Sequence, residues 1–174
     1  AEARGAGVDA RILSALLTGI NRAFPYVHVD DVEPLVERLS PYLYRLSHGR
    51  NLKGALQALL LLFQLLSTRR AASDRFHRAL YAFMLSPGLT RSAHVSTFLS
   101  LLFRALGAAA DRRVAAALAK RLLQQAAHAP APFACGALLL LSEYLKQHKA
   151  MYVAILTPED AEEARLGEGE EEEE

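Results

Sequence analysis

One segment, residues 52–68, constrains the fold more than any other, because apolar side chains surround almost its whole circumference. At helical spacing, Leu56, Leu59 and Phe63 lie on one side, and Leu61 and Leu65 spread to others. A helix that is apolar all round is normally buried between neighbours. The segment is also shorter than the roughly 20 apolar residues that a membrane span needs. The sequence therefore predicts a buried helix, and we expect no membrane partner.

Six further segments have apolar residues at helical spacing, and most are bounded by Pro or Gly. Composition agrees, because 52% of the residues are hydrophobic but only 7% are aromatic, and the helix formers Leu and Ala dominate. A kink or a restart is expected at Pro41, and residues 151–156 could form a short turn or a strand. The predicted helices span residues 9–23, 30–46, 52–68, 73–85, 91–106, 109–128 and 133–149.

Short turns between these helices predict an all-α fold of stacked antiparallel helix pairs, a HEAT-like α-solenoid fragment of about seven helices. No repeat of fixed period is evident, so a plain helical bundle is the structural alternative. We predict a flexible N-terminal segment over 1–8, a helical-repeat domain over 9–156 and a disordered acidic tail over 157–174.

The net charge of +1 conceals an uneven distribution. Residues 157–174 hold ten acidic residues and one basic residue, Arg165, so this tail carries about −9. The other 19 basic and nine acidic residues give residues 1–156 about +10. A basic body favours an anionic partner, with nucleic acid ahead of a membrane surface.

No pattern in the chain indicates catalysis or a bound cofactor. The six histidines are scattered, and Cys135 has no second thiol nearby to complete a metal site. A helix N-terminus can activate a thiol, but a buried packing role is the preferred interpretation of Cys135. No glycine-rich phosphate loop follows a predicted strand. We therefore expect no enzyme activity, no metal, no cofactor and no small-molecule substrate.

Eight basic residues form two clusters and are the candidate RNA-phosphate contacts. The first cluster surrounds the turn before the fourth predicted helix and the outer face of that helix. The second lies on the sixth, where residues seven apart share a face. Solvated helix faces, or faces that pair with acids of a partner protein, are the alternative. The clusters are Arg69, Arg70, Arg75 and Arg78, and Arg112, Arg113, Lys120 and Arg121.

Four segments carry a family pattern: LLTGINRAFPY (16–26), LQALLLLFQLL (56–66), SDRFHRALYAFMLSPGL (73–89), and RRVAAALAKRLLQ (112–124) with APFACGALLLLSEYLK (131–146). In this order they resemble the CCAAT-binding factor family of nucleolar ribosome-assembly proteins, most closely its CCAAT/enhancer-binding protein zeta branch. The resemblance spans about residues 10–150. It implies a non-enzymatic helical-repeat scaffold of the nucleolus and nucleus.

The same resemblance implies a role in large ribosomal subunit assembly, with pre-ribosomal RNA, the pre-60S particle and a second nucleolar complex protein as partners. One alternative is a protein-binding α-solenoid without direct RNA contact. Another is binding of CCAAT-element DNA in transcription, which the family name reflects.

The segment LLTGINRAFPY has a structural and a functional interpretation. In the first, Leu16, Leu17 and Ile20 pack inward and the residues after them close the helix and fix the direction of the chain. In the second, the segment docks RNA or a partner protein. We favour the structural role because apolar residues dominate the segment. The helix-closing or docking residues are Asn21, Arg22, Phe24, Pro25 and Tyr26.

Overall fold

A computed structural model describes residues 2–26, 29–67 and 74–157. These residues form eight α-helices and no strand, which confirms the all-α prediction. Two short 3-10 turns, Phe24–Tyr26 and Leu89–Arg91, lie between helices. The helices are α1 (Glu2–Ala23), α2 (Val29–Ser47), α3 (Leu52–Ser67), α4 (Asp74–Met84), α5 (Val95–Ala108), α6 (Arg112–Ala126), α7 (Ala131–Gln147) and α8 (Met151–Leu156).

The helices pack in two rows. The odd-numbered helices contact one another in the order α1, α3, α5 and α7, and the even-numbered helices in the order α2, α4, α6 and α8. Contacts of α3 with α2 and α4, and of α6 with α5 and α7, join the two rows. Two rows in chain order are what stacked helix pairs would produce. The HEAT-like classification of this arrangement stays a prediction.

The core is centred on α3, which contacts α1, α2, α4 and α5. Ala58, Leu59 and Leu62 are fully buried on it, so the prediction of a helix enclosed by its neighbours is confirmed. Aromatic rings extend the core from α3 through α4 to α5. The Phe63 and Phe76 ring centroids lie 5.6 Å apart, and hydrophobic packing of this kind supplies most of the stability of helices in proteins.

Two differences from the predicted helices concern α1 and α2. The first helix begins at Glu2 and not at Asp9, so it includes residues 2–8, whose predicted flexibility stays untested. Ala, Glu and Arg are good helix formers, and here they outweigh two glycines. The expected restart at Pro41 is also wrong, because α2 is one helix across it. Val36 and Leu43 are buried on either side of Pro41, so packing compensates for the lost hydrogen bond.

The inward packing predicted for α1 is only partly correct. Leu17 is 4% exposed, but Leu16 is 60% exposed and Ile20 is 42% exposed. In the described part of the chain, α1 is the first member of its row and α3 is the helix that covers it. One side of α1 is therefore buried, and the apolar stripe that continues round it faces solvent.

The segment after α7 is helical, which decides between the predicted turn and the predicted strand. In α8, Met151, Ala154 and Ile155 are buried, and the helix packs on α6. The acidic tail, apart from Thr157, lies outside the described residues, so its predicted disorder is untested. Among the helices that the structure describes, none combines the length and apolarity needed to cross a lipid bilayer.

Candidate nucleic-acid interface

The neighbouring helices α4 and α6 of the even row carry most of the predicted phosphate contacts. Together they hold six basic residues and one acidic residue, Asp74. The start of α6 is fixed by Asp111, whose carboxylate accepts a hydrogen bond of 2.8 Å from the backbone N–H of Arg113. Arg69 and Arg70 lie outside the described residues. The candidate interface is therefore built from the other six predicted bases.

Arg75 and Arg78 are exposed on α4, as the sequence predicts. The guanidinium of Arg75 lies over the ring of Tyr44 in α2, 4.1 Å from its centroid. A cleft of about 280 Å³, here named the α2/α4 cleft, opens between the two helices. It is lined by Pro41, Tyr44, Arg45, His48, Arg75, Arg78 and Ala79.

Arg45 and His48 are missing from the residues that the sequence predicts. Arg45 lies in the last turn of α2, and His48 follows that helix. Neither belongs to a cluster of basic residues with a clear spacing, so no local pattern distinguishes it from a solvated side chain. Contact between α2 and α4 brings these residues to the bases of α4.

A second cleft, of about 440 Å³, lies between α4 and α6 and is named the α4/α6 cleft. Arg78 lines it as well as the α2/α4 cleft. Here the carboxylates of Asp74 and Asp111 share the lining with Arg78, so positive charge does not dominate. Tyr81 is at the same cleft, and the guanidinium of Arg121 lies 4.4 Å from its ring centroid.

Three of the bases on α6 make contacts within the chain. Arg112 donates to the backbone oxygen of Ala150, and Lys120 donates to that of Thr157, each at 2.8 Å. Arg121 donates to the hydroxyl of Tyr81. These bonds hold the two ends of α8, and part of α4, against α6. Arg113 is exposed, so it does not share the environment of Lys120 although the two are seven residues apart.

None of the six bases forms an ion pair with another described residue. The ion pair between described residues joins Lys146 to Glu143 at 2.9 Å on α7. The hydrogen bond and the charge of Lys146 lower the pKa of Glu143 below its usual value. Burial raises the pKa of Tyr144 on the same helix. The bases of α4 and α6 therefore keep their positive charge uncompensated by described carboxylates in direct contact.

The residues of LLTGINRAFPY divide between two environments. Asn21 Nδ2 donates to Oε1 of Gln57 at 2.9 Å and to its backbone oxygen at 3.0 Å, and Gln64 Nε2 donates to the backbone oxygen of Asn21 at 3.4 Å. These bonds tie the end of α1 to α3. Phe24 packs partly buried against the core. The three remaining residues, Arg22, Pro25 and Tyr26, are exposed, so docking through them stays a prediction.

Potential metal ligands are scattered over the residues that the structure describes. No three His, Cys, Asp or Glu side chains among them are grouped closely enough to hold a metal ion. Cys135 is exposed, so the prediction of a buried packing role is wrong. Phe133 and Ala137 take the inward positions of this part of α7 instead.

Comparison with known proteins adds an independent finding to this geometry. The CBF/Mak21 family model matches residues 55–174. This chain belongs to the CBF/Mak21 family. The match confirms the resemblance to the CCAAT-binding factor family. Three of the four segments that carry the resemblance lie inside the matched range, and LLTGINRAFPY precedes it.

The relatives in this family are much longer than the chain. Protein SLOW WALKER 2 of Arabidopsis thaliana is 42% identical over 156 residues, which are 90% of this chain and 15% of that protein. CCAAT/enhancer-binding protein zeta of Mus musculus is 42% identical over 139 residues, or 80% of this chain and 13% of that protein. Ribosome biogenesis protein NOC1 of Chaetomium thermophilum is 39% identical over 88% of this chain and 15% of its own length.

Proposed function

We propose that this chain is a non-enzymatic scaffold segment in the nucleolar assembly of the large ribosomal subunit. In this role it contacts pre-ribosomal RNA in the pre-60S particle and a second nucleolar assembly factor. The observation that carries the proposal is the basic surface of α4 and α6 in a member of this family. One relative is named a ribosome biogenesis protein. Because the chain matches 13–15% of the relatives' lengths, the role proposed is that of one segment.

The contacts within the chain separate the bases into two groups. Arg112, Lys120 and Arg121 hold α8 and α4, so their donors are partly used inside the protein. Arg75, Arg78 and Arg113 are exposed, and their guanidinium groups donate no hydrogen bond to another described residue. A phosphate contact needs charge and donors that a ligand can reach. We therefore assign the RNA contacts first to Arg75, Arg78 and Arg113.

The test is the salt dependence of RNA binding by the 174-residue chain. A labelled RNA hairpin should bind with an affinity that falls steeply between about 50 and 200 mM salt. Replacing Arg75, Arg78 and Arg113 by Ala should reduce the slope of log affinity against log salt by about 2 to 3.

The matched control removes three positive charges from exposed positions elsewhere. Arg11, Lys53 and Arg91 are exposed and lie outside α4 and α6. Their replacement by Ala should leave most of the slope in place. Equal slopes for the two triple variants would refute the assignment to α4 and α6, and absence of RNA binding by the native chain would refute the proposed function.

A protein-binding segment without RNA contact is the second candidate. Exposed apolar side chains on α7 and α8 favour it, because such surfaces often bind other proteins. Leu139 is 71% exposed and Leu156 is 63% exposed. A complex with a nucleolar assembly factor that survives nuclease treatment, from a chain that binds no RNA hairpin, would support this candidate. Tighter binding of a CCAAT duplex than of a scrambled duplex would instead support the DNA alternative.

A further inference from the structure

We propose that the α2/α4 cleft is a discrete pocket for a backbone phosphate of RNA, with Arg45, Arg75 and Arg78 as its donors. The inference rests on the proposed function and deepens it. It assigns a phosphate site to α2, a helix that carries none of the bases predicted from the sequence. It also makes Arg78 the residue through which this pocket joins the rest of the basic surface.

The charge of the lining is the first argument. The cleft of about 280 Å³ is lined by three arginines and His48, and none of the described residues that line it carries a carboxylate. The α4/α6 cleft differs, because Asp74 and Asp111 line it beside Arg78. Each arginine offers five N–H donors and no acceptor, a set that suits a phosphate and no cation.

The position of Arg75 is the second argument. Its guanidinium lies 4.1 Å from the centroid of Tyr44, so contact with the ring already restricts this side chain. A restricted arginine loses less conformational entropy when it binds a ligand than an unrestrained one does. The α2/α4 cleft therefore contains a donor that is placed before the ligand arrives.

The same contact distinguishes phosphate binding from base stacking. Tyr44 is 6% exposed, and the guanidinium of Arg75 occupies a face of its ring. Nucleic-acid bases stack on aromatic rings that present an open face. Because Tyr44 presents no such face, the chemistry left to the cleft is that of its charged donors.

The position of the two arginines along α4 is the third argument. Arg75 is the second residue of α4, and Arg78 follows one turn later. Acidic residues, not basic ones, stabilise the first turn of a helix, because the helix dipole is positive there. Helix stability therefore does not account for Arg75 at this position, whereas attraction of an anion does.

The test compares two double variants of the full chain. Replacing Arg45 and Arg78 by Gln removes two charges from the α2/α4 cleft but keeps Arg75 on Tyr44. We expect about tenfold weaker binding of a labelled RNA hairpin and a salt slope reduced by about 1. The control, Arg11→Gln with Arg91→Gln, removes two exposed charges elsewhere and should weaken binding less than about threefold.

A third variant, Arg45→Lys with Arg78→Lys, keeps the charge but loses the planar guanidinium fork. It should retain the salt slope and still lose affinity, and it tests the pocket even if the Gln variant unfolds. If both cleft variants bind the hairpin like the control, the pocket is refuted while RNA binding by the chain stands. Failure of the native chain to bind RNA would instead refute the proposed function.

A phosphopeptide arm decides between two macromolecular ligands. The same variants are titrated with a phosphoserine peptide that carries no nucleotide. Weak peptide binding that the cleft variants do not change supports the assignment to RNA. The assignment to RNA would be overturned if the peptide bound more tightly than the hairpin and if the Gln variant of the cleft, but not the control variant, lost this binding.

Discussion

The guanidinium of Arg121 lies 4.4 Å from the ring centroid of Tyr81 and donates a hydrogen bond to the hydroxyl of the same residue. One base of α6 thus holds α4 through both the face and the polar end of a single ring. Both residues are half-buried, so solvent weakens the contact less than it would weaken a surface ion pair.

Removal of this contact should lower the stability of the chain without changing the salt dependence of its RNA binding. We expect Arg121→Ala to lower the free energy of unfolding by about 1–2 kcal/mol and Tyr81→Phe by about 1 kcal/mol. Urea unfolding of the two single variants and the double variant would measure their coupling. Strictly additive losses would show that the two side chains do not stabilise the protein jointly. The control is Arg113→Ala, which removes an exposed arginine of the same helix.

Asn21 should contribute more to stability than the other polar residue at the end of α1, Arg22, because it joins α1 to Gln57 of α3. Asn21→Ala removes the donor to the side-chain and backbone oxygens of Gln57, which should lower the free energy of unfolding by about 1–3 kcal/mol. Arg22→Ala, at the exposed neighbouring position, should change stability by less than about 0.5 kcal/mol. Thermal unfolding of both variants measures the difference. A docking role alone for the segment would leave Asn21→Ala as stable as the native chain.

Burial in α3 predicts a large difference between two leucine truncations. Leu59 is fully buried and Leu139 is 71% exposed. Leu59→Ala should lower the free energy of unfolding by about 2–5 kcal/mol, because it removes apolar contacts and leaves a cavity. Leu139→Ala should stay within about 0.5 kcal/mol of the native value. Comparable losses in urea unfolding would show that α7 is covered in solution.

The acidic tail is expected to compete with RNA for the basic surface. Deletion of residues 158–174 removes the ten acids that follow Thr157, so RNA binding should become several-fold tighter at low salt and change little at high salt. The control is a chain of the same length with those acids replaced by Ser or Gln, which should behave like the deletion. Identical low-salt affinities of the native and deleted chains would exclude screening by the tail.

Helix content and the central position of α3 could be predicted because they depend on local periodicity and on apolarity all round one segment. The exposure of Leu16, Ile20 and Cys135 could not be predicted, because it depends on which side of each helix its neighbours cover. Likewise, the sequence shows Arg112 and Lys120 as bases but gives no sign that backbone oxygens 38 and 37 residues further on would accept their hydrogen bonds. Arg45 lies beside Arg75 and Arg78 only because α2 packs against α4, which the local sequence does not show.

The bond from Lys120 to Thr157 fixes where the acidic tail is attached. Thr157, the residue before the acids, is thus bonded to α6, the helix that also holds Arg121 and Arg113. Acidic residues that follow a short linker act on a surface of the same molecule at an effective concentration in the millimolar range. If the deletion confirms screening by the tail, the chain itself sets the affinity that an RNA needs to occupy this surface, and a weakly binding polyanion is excluded before a strongly binding one.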